Sequence, residues 1–456
     1  MVDTSASPRR PAGERTLFAT AVFLVLFGGD ALRNSINWWG WGVLCVALVV
    51  VSIVLIVRNP LKASRLPMLL GLFLAIVVAS ILWSAYPLGS ALGIATQLMT
   101  TVAPVAIVAT LRWESIVKAL GRALRIYVVA SILFELVVSI FVRHPFCPVY
   151  VSCPPGHPAA FYWTRDNLFT GGQIQGLPGN SNLLAIMALL ALIVTGVQAS
   201  ARVISRQEAI VGIVFAAAAL VLTRSSTVVF CLLVTAVVLV FALVARRVPH
   251  ERRWLVGVAG IVVAAVAIGG ALALRTPILH LLGKSKDLTG RFTIWKEVWH
   301  LAVQRPVAGW GWTGYWQPFY KPFSTLAKRN GVLYLQAHDA YLDVFFQLGL
   351  IGLVVFLGVL VTTAARSWWW ATDRRMLGPQ TPAPWNHLDL LPLLLITAML
   401  VHGLAESRLI VEWGWALLVL ICLSTRADNF RWWTSPAAPV PAASESRTSD
   451  APVNRA

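Results

Sequence analysis

The chain has 456 residues, of which 58% are apolar and only 12% are charged, and its formal net charge is +18. Soluble domains carry about 25% charged residues, so this composition excludes a protein whose whole surface faces water. The positive charge does not indicate nucleic-acid binding, because most lysines and arginines fall in short loops between apolar runs, as the positive-inside rule predicts.

The apolar runs predict membrane-spanning helices. They are long and do not alternate with polar residues, which favours helices of about 20 residues over barrel strands. The first run has no small-residue cleavage site, so it is predicted to be a retained span rather than a signal peptide. Twelve spans are predicted, at 16–33, 38–57, 66–84, 88–111, 124–142, 182–200, 209–223, 226–245, 254–274, 347–365, 389–405 and 411–425.

Basic residues alternate between successive gaps, which predicts the sidedness of the chain. Residues 1–15 form a cytoplasmic tail, and residues 16–274 hold nine spans with an outer loop at 143–181. A large outer segment covers 275–347, and three spans occupy 348–425. Residues 426–456, rich in Pro, Ala and Ser, form a second cytoplasmic tail that is predicted to be disordered.

The outer loop at 143–181 contains Cys147 and Cys153. An oxidising environment outside the cytoplasm favours a disulfide between them. Free thiols remain an alternative. A zinc site with His144 and His157 is another, although the spacing matches no common zinc pattern.

Arg224 lies between two spans that have almost no connection between them. A charge so close to the hydrocarbon usually faces a bundle interior or a polar cavity. The alternative is an arginine that extends to the outer headgroups.

Arg291 lies at a predicted helix start in the large outer segment, with Thr289 as the candidate N-cap. Phe292, Trp295 and Trp299 recur at helical spacing and predict an apolar face along the membrane surface. A cation in the first helical turn opposes the helix dipole, and a locally disfavoured residue is a mild signal of function. A solvated surface arginine is the alternative.

His338 and Asp339 lie at the outer start of the tenth span. Imidazole titrates near neutral pH, so His338 is a candidate general base or acid; an interfacial hydrogen-bonded histidine is the alternative. Asp339 is close to the helix start, where a carboxylate favours the helix dipole.

Arginine forks bind phosphate oxygens in pairs, so two arginines and a histidine at the outer leaflet suit a lipid-linked diphosphate. The large outer segment is itself basic, against the positive-inside trend, which supports an anionic ligand. The outer loops contain no P-loop, zinc-protease motif or paired acidic motif. We therefore expect no metal, and the arginines would stabilise the leaving group.

Four stretches of the chain carry a family resemblance. They are Gly176-Leu-Pro-Gly-Asn180-Ser-Asn182, Thr223-Arg224-Ser225-Ser226, Gly290-Arg291 with Trp295, Pro306, Gly309 and Gly311, and Ala337-His338-Asp339 with Tyr341, Leu342, Gly349 and Gly352. Their order and spacing over residues 165–365 resemble those of the O-antigen ligase and polymerase family of bacterial envelope proteins. The family usually has asparagine where this chain has Asp339, which leaves the acceptor in question.

The resemblance implies an all-α, GT-C-like fold of about twelve spans with interfacial helices in a large outer loop. It implies transfer of a glycan from an undecaprenyl-diphosphate carrier to a glycan or lipid acceptor, with inversion, at the outer face of the cytoplasmic membrane. No cofactor is implied. Arg224 and Arg291 map to diphosphate-binding residues and His338 to the residue that activates the acceptor. Further candidates for substrate contacts are Asn180, Asn182, Arg143, Arg165 and Asp339.

Three alternatives remain open. A polymerase of the same family would join repeat units and differ only in its acceptor. A transporter or flippase for lipid-linked sugars predicts repeated halves and charges near mid-membrane, whereas the chain has no internal repeat and Glu135 is the only candidate mid-span acid. A binding scaffold would not require outer loops with so many reactive groups.

Overall fold

A computed structural model describes residues 12–62, 66–154, 158–273, 291–329, 332–374, 376–378 and 381–434. Within these ranges the chain forms fourteen α-helices and two short antiparallel hairpins. The helices are α1 (Ala12–Phe27), α2 (Gly29–Arg58), α3 (Met68–Ala79), α4 (Pro87–Thr110), α5 (Trp113–Val137), α6 (Ser181–Ser200), α7 (Arg206–Thr223), α8 (Ser226–Arg247), α9 (Arg253–Ala273), α10 (Arg291–Ala302), α11 (Phe323–Leu326), α12 (Ala340–Thr372), α13 (Leu391–Gly403) and α14 (Glu412–Thr434). The hairpins pair β1 (Lys328–Arg329) with β2 (Val332–Leu333) and β3 (Met376–Gly378) with β4 (Thr381–Pro382).

Each of the twelve predicted spans overlaps one helix, namely α1 to α9 or α12 to α14. Among the described residues, seven helices are long and apolar enough to cross a membrane: α2, α4, α5, α6, α7, α8 and α12. The helices α3 and α13 are shorter but apolar. An all-α, multi-pass membrane architecture is therefore confirmed, and the count of twelve spans stays a prediction.

Several predicted boundaries differ from the structure: α5 begins at Trp113, well before the predicted span at 124–142, and α14 runs to Thr434, into the predicted tail at 426–456. Arg33 and Asn34, expected near the end of the first span, belong to α2, because the chain turns at Gly28 and α2 is kinked at Asn37, where φ is 69°. The helix α12 begins at Ala340, inside the predicted outer segment, because Asp339 caps it there. The predicted N-cap Thr289 lies outside the described residues.

The main core surrounds α6, whose side chains are buried on nearly all sides. It packs against α5 and α7, and α14 packs against α4 in the same core. By contrast, α2 exposes a valine-rich face that includes Val43, Val46 and Val50. A helix exposing this much apolar surface is suited to contact with lipid.

A second, smaller core lies in the outer segment. Ile294, Val298 and Ala302 form one buried face of α10, at the four-residue spacing of a helix. They pack with Trp316 and Phe323, whose rings are stacked with centroids 5.6 Å apart. Phe292 and Trp299, on the predicted apolar face of α10, are exposed, while the aliphatic stripe packs inward; contact of the aromatic face with the membrane surface stays a prediction.

The outer segment is joined to α12 at a kink. The backbone N–H of Gly311 donates to the carbonyl of Gln347 over 2.9 Å. Gly349, where φ is 63°, breaks the helix at this point, and a Cβ there would lie 2.3 Å from the carbonyl oxygen of Val307. Only glycine permits this backbone and this approach. Two of the family-like motifs therefore pack directly against each other.

The outer loop at 143–181 is held by a disulfide and by Glu135. Cys147 and Cys153 are joined, with their Cα atoms 6.4 Å apart, so the free-thiol and zinc alternatives do not describe this structure; His157 lies outside the described residues. Glu135, near the end of α5, is buried and accepts hydrogen bonds from Gln175 N and Gly176 N, at 2.9 and 2.6 Å. This acid therefore anchors the loop and does not lie free within the membrane.

Candidate functional site

Arg291 and His338 meet at the carboxylate of Glu406, a residue that the sequence did not single out. Glu406 lies between α13 and α14 and is only 4% exposed. One guanidinium nitrogen of Arg291 is 2.9 Å from its Oε1, and Nδ1 of His338 is 2.9 Å from its Oε2. Two residues predicted to act together therefore share one buried acceptor.

The ionisation state of Glu406 determines which ring nitrogen of His338 carries the hydrogen. Burial raises the pKa of Glu406, but the charges of His338 and Arg291 and the hydrogen bond from His338 outweigh it and lower the pKa to about 2. Glu406 is therefore ionised at neutral pH. An ionised carboxylate only accepts hydrogen bonds, so Nδ1 of His338 carries the hydrogen, and in the neutral ring Nε2 is left to accept a proton.

The two loops that carry His338 and Glu406 are tied together by Asp343 in α12. Its Oδ2 accepts the backbone N–H of Ala337 over 3.0 Å and also the hydroxyl of Ser407. Ala337 precedes His338, and Ser407 follows Glu406. His338 itself has a left-handed backbone, with φ of 55°, a conformation that costs a non-glycine residue free energy unless its surroundings fix it.

Two tryptophan side chains also hold the loop before His338 and the carboxylate of Asp343 in place. Trp295 on α10 donates from Nε1 to the carbonyl of Ala337 over 3.1 Å, and Trp316 donates to Oδ1 of Asp343 over 2.9 Å. Gln336 donates to Oε2 of Glu406 over 3.2 Å. The helix that begins with Arg291 is thus linked to the loop that holds His338.

Arg224 belongs to a separate group of residues. It ends α7 in a left-handed conformation, with φ of 48°, and its side chain is exposed. Its neighbour Ser225 donates to Oδ1 of Asn182 over 2.8 Å, while Asn180 caps α6. Among the described residues, no hydrogen bond or ion pair joins Arg224 to Arg291 or His338. The structure thus brings two of the three predicted residues into one cluster and leaves the third outside it.

The first outer loop lies between these two groups. The backbone N–H of Ile174 donates to the carbonyl of Leu222, near the end of α7, over 3.3 Å. Further along the loop, burial lowers the pKa of Arg165, and the nearby phenol of Tyr334 opposes that shift. The Tyr334 ring is 5.4 Å from the His338 ring. Tyr334 is therefore a neighbour of both Arg165 and His338.

The other two candidates have local roles. Arg143 follows the π-helical turn Val138–Val142 that continues α5; it has φ of 57°, is exposed, and donates from Nε to the carbonyl of Ile140. Asp339 caps α12 and accepts the backbone N–H groups of Tyr341 and Leu342, both over 2.9 Å. The substrate contacts predicted for Asn180, Asn182, Arg143, Arg165 and Asp339 stay predictions.

A second charged cluster surrounds Arg408, two residues beyond Glu406. Arg33 is 2.8 Å from Oε1 of Glu412, and Arg408 is 3.1 Å from Oδ2 of Asp30. Arg33 also pairs with Asp30, and Arg408 with Glu412. We call these four residues the closed quartet. The sequence contains a signal for this quartet: Asp30 and Arg33, and Arg408 and Glu412, are opposite charges at helical spacing beside apolar runs. We did not use that signal in the sequence analysis.

In the described ranges, no group of three His, Cys, Asp or Glu residues is placed to hold a metal ion.

Fold and site together define a multi-pass helical membrane protein with a buried histidine–carboxylate–arginine cluster in the connections at one end. Residues 211–357 match the family model described as O-antigen ligase. The match confirms the predicted resemblance to this family over that part of the chain, which includes Arg224, Arg291 and His338 but not the motif at 176–182. It supports glycan transfer of the ligase or polymerase kind. No curated protein matches the chain.

Proposed function

We propose that this protein is a glycosyltransferase that moves a glycan from an undecaprenyl-diphosphate carrier to an acceptor hydroxyl at the outer face of the bacterial cytoplasmic membrane. The observation that carries the proposal is the shared contact of His338 and Arg291 with Glu406. A histidine held through one ring nitrogen, beside an arginine, provides both a base and an anion-binding group.

In the proposed reaction, Nε2 of His338 takes the proton from the acceptor hydroxyl. The oxygen attacks the anomeric carbon as the bond from that carbon to the carrier's phosphate oxygen breaks, and the bonding electrons leave with the diphosphate. Glu406 keeps Nδ1–H in place and stabilises the imidazolium that forms, which is the role of the carboxylate in other histidine-based sites. A single displacement inverts the anomeric centre.

The leaving diphosphate requires cations. Arg291 donates to Glu406 through one nitrogen, and a guanidinium has five N–H donors, so its remaining donors are available to phosphate oxygens. Arg224 pairs with no carboxylate among the described residues and would bind the other phosphate. For this step the diphosphate of the donor must reach from Arg291 to Arg224, while the lipid tail lies between the spans.

Ligase and polymerase remain alternatives within this chemistry, because they differ in the acceptor alone. The transporter alternative is less favoured, since the buried carboxylate of Glu135 binds loop backbone and that of Glu406 pairs with Arg291 instead of lining a path. If the protein is a polymerase, its loss leaves single repeat units; if it is a ligase, full-length chains accumulate on the carrier.

The test replaces His338 or Arg291 by alanine in a deletion strain of the native host. We expect transfer of carrier-linked glycan to fall about 10²- to 10⁴-fold for His338→Ala, the range of general base catalysis. Matched controls are His250→Ala and Arg247→Ala, both exposed in the connection between α8 and α9. Native rates of transfer in the His338 and Arg291 variants, at normal protein levels, would contradict the proposal.

A further inference from the structure

A cavity of about 700 Å³ lies in the outer segment, away from the His338 cluster. One wall is the face of α10 that contains Thr293, Glu297 and His300, with Gln304 just beyond the helix end. The opposite wall is α11 and the start of β1, including Thr325 and Lys328. We call this cavity the α10 groove. Its size is within the range of small-molecule sites, about 300 to 1,000 Å³.

Four of the polar side chains that line the groove make no polar contacts that stabilise the described part of the fold. Glu297, His300, Gln304 and Lys328 are exposed, and their side chains make no hydrogen bond or ion pair within the described part of the chain. Buried beneath them, Ile294 holds α10 to the second core. A carboxylate, an imidazole, an amide and an ammonium group therefore converge on one hollow with their hydrogen-bonding capacity free.

The groove and the proposed reaction centre lie on opposite faces of α10. Arg291 opens this helix and contacts Glu406, whereas Thr293 lines the groove and, two residues on, points about 200° around the helix axis from Arg291. The helix has 12 residues and so extends about 18 Å. A glycan that starts at phosphates bound by Arg291 would reach the groove by crossing the first turn of α10.

We infer that the α10 groove binds the glycan chain of the lipid-linked donor, at sugars beyond the one that reacts. This rests on the proposed glycosyltransferase function. The donor's first sugar is bonded to the diphosphate, so its glycan must leave from the Arg291 side, whereas the acceptor must approach Nε2 of His338. A hydroxyl-rich chain suits the lining, because hydroxyls both donate to Glu297 and accept from Lys328.

The test compares donors of two lengths with full-length protein. The probes are the host's own carrier-linked glycans, separated into single-repeat and multi-repeat fractions, and the measurement is transfer to the native acceptor in membranes. Gln304→Trp fills the groove. Val303→Trp adds the same bulk at an exposed neighbouring position that does not line it. Gln304→Ala removes the amide without adding bulk.

For Gln304→Trp we expect transfer of the multi-repeat donor to fall about tenfold, which corresponds to about 1.4 kcal/mol of binding, with the single-repeat donor unchanged. Gln304→Ala should show a smaller loss in the same direction, and Val303→Trp none. Equal losses for both donor lengths, or no loss with either Gln304 variant, would overturn the inference. Failure of the proposed function is distinguishable, because it would show as absent transfer by the unaltered protein with both donors.

Discussion

Two buried charged clusters meet in the short connection between α13 and α14, and they differ in how their charges are balanced. The closed quartet contains two arginines and two carboxylates, and each carboxylate contacts both arginines. The Glu406 cluster contains one carboxylate between Arg291 and His338. Here one carboxylate is shared by an arginine and a histidine, and of these two partners only the arginine carries a fixed charge.

This difference in charge balance distinguishes a cluster that stabilises the fold from one that is suited to a reaction. In the closed quartet every charge has two opposite partners, and no group has reason to exchange a proton. In the Glu406 cluster one ring nitrogen of His338 and most donors of Arg291 are left for a ligand. A pKa shifted as far as that of Glu406 is also characteristic of functional sites.

The largest effect on stability is expected from removing one charge of the closed quartet. Arg408→Met removes one arginine and leaves Asp30 and Glu412 with a single cation between them, which should lower the free energy of unfolding by about 3 to 5 kcal/mol. The measurement is the thermal unfolding midpoint of the detergent-purified protein. Lys118→Met, in an exposed pair with Glu114, should cost less than about 1 kcal/mol.

A double variant sharpens this comparison. Adding Glu412→Leu to Arg408→Met leaves the Arg33–Asp30 pair balanced and should recover most of the loss, because replacing both members of a buried pair is often nearly neutral. A double variant as unstable as the single one would show that the quartet is not held by charge balance.

The acid dependence of stability should single out Glu406. Its pKa is about 2 in the folded protein against 4.5 for the free side chain, so its ionised form stabilises the fold. That contribution is complete above pH 4.5 and is lost as the pH falls towards 2. The stability difference between native protein and Glu406→Gln should therefore shrink by about 2 kcal/mol between pH 6 and pH 3.

The measurement is the unfolding midpoint of both proteins across that pH range. Glu114→Gln, at an exposed position, should give a difference that hardly changes with pH. If the Glu406→Gln difference is equally flat, Glu406 is not held ionised by Arg291 and His338.

The smallest effect is expected at Asp339, the departure from the family pattern. Asparagine caps helices about as well as aspartate, and Asp339 serves α12 through two backbone N–H groups. Asp339→Asn should change stability by less than about 0.5 kcal/mol and transfer by less than about twofold. A larger change in transfer alone, measured as in the His338 test, would assign the carboxylate to the acceptor.

The sequence predicted the helices and two members of the site for physical reasons that are local. Apolar runs define spans wherever the chain lies, and Arg291 and His338 stand beside motifs of fixed spacing. Glu406 was missed because it is 68 residues from His338, and no periodicity relates the two. Asp343 was missed because an acid in the first turn of a helix ordinarily serves the dipole.

The helix α10 has two apolar faces, of which the sequence analysis identified only the aromatic one. Phe292, Trp295 and Trp299 outweigh the aliphatic stripe in hydrophobic size, so the stripe was not singled out. The fold instead buries Ile294 and Val298 and uses Trp295 as a hydrogen-bond donor. Which of two apolar faces is buried depends on the partner surface, which the local sequence does not contain.

The kink at Gly349 has a mechanical consequence. The backbone of residues 310 and 311 supplies the hydrogen bonds that the broken helix leaves open at Phe346 and Gln347. If the outer segment moved away, the carbonyls of Phe346 and Gln347 would lose their hydrogen-bond partners. The outer segment and the part of α12 before Gly349 are therefore expected to move together. A motion that opened the bundle would therefore have to bend the chain at another connection.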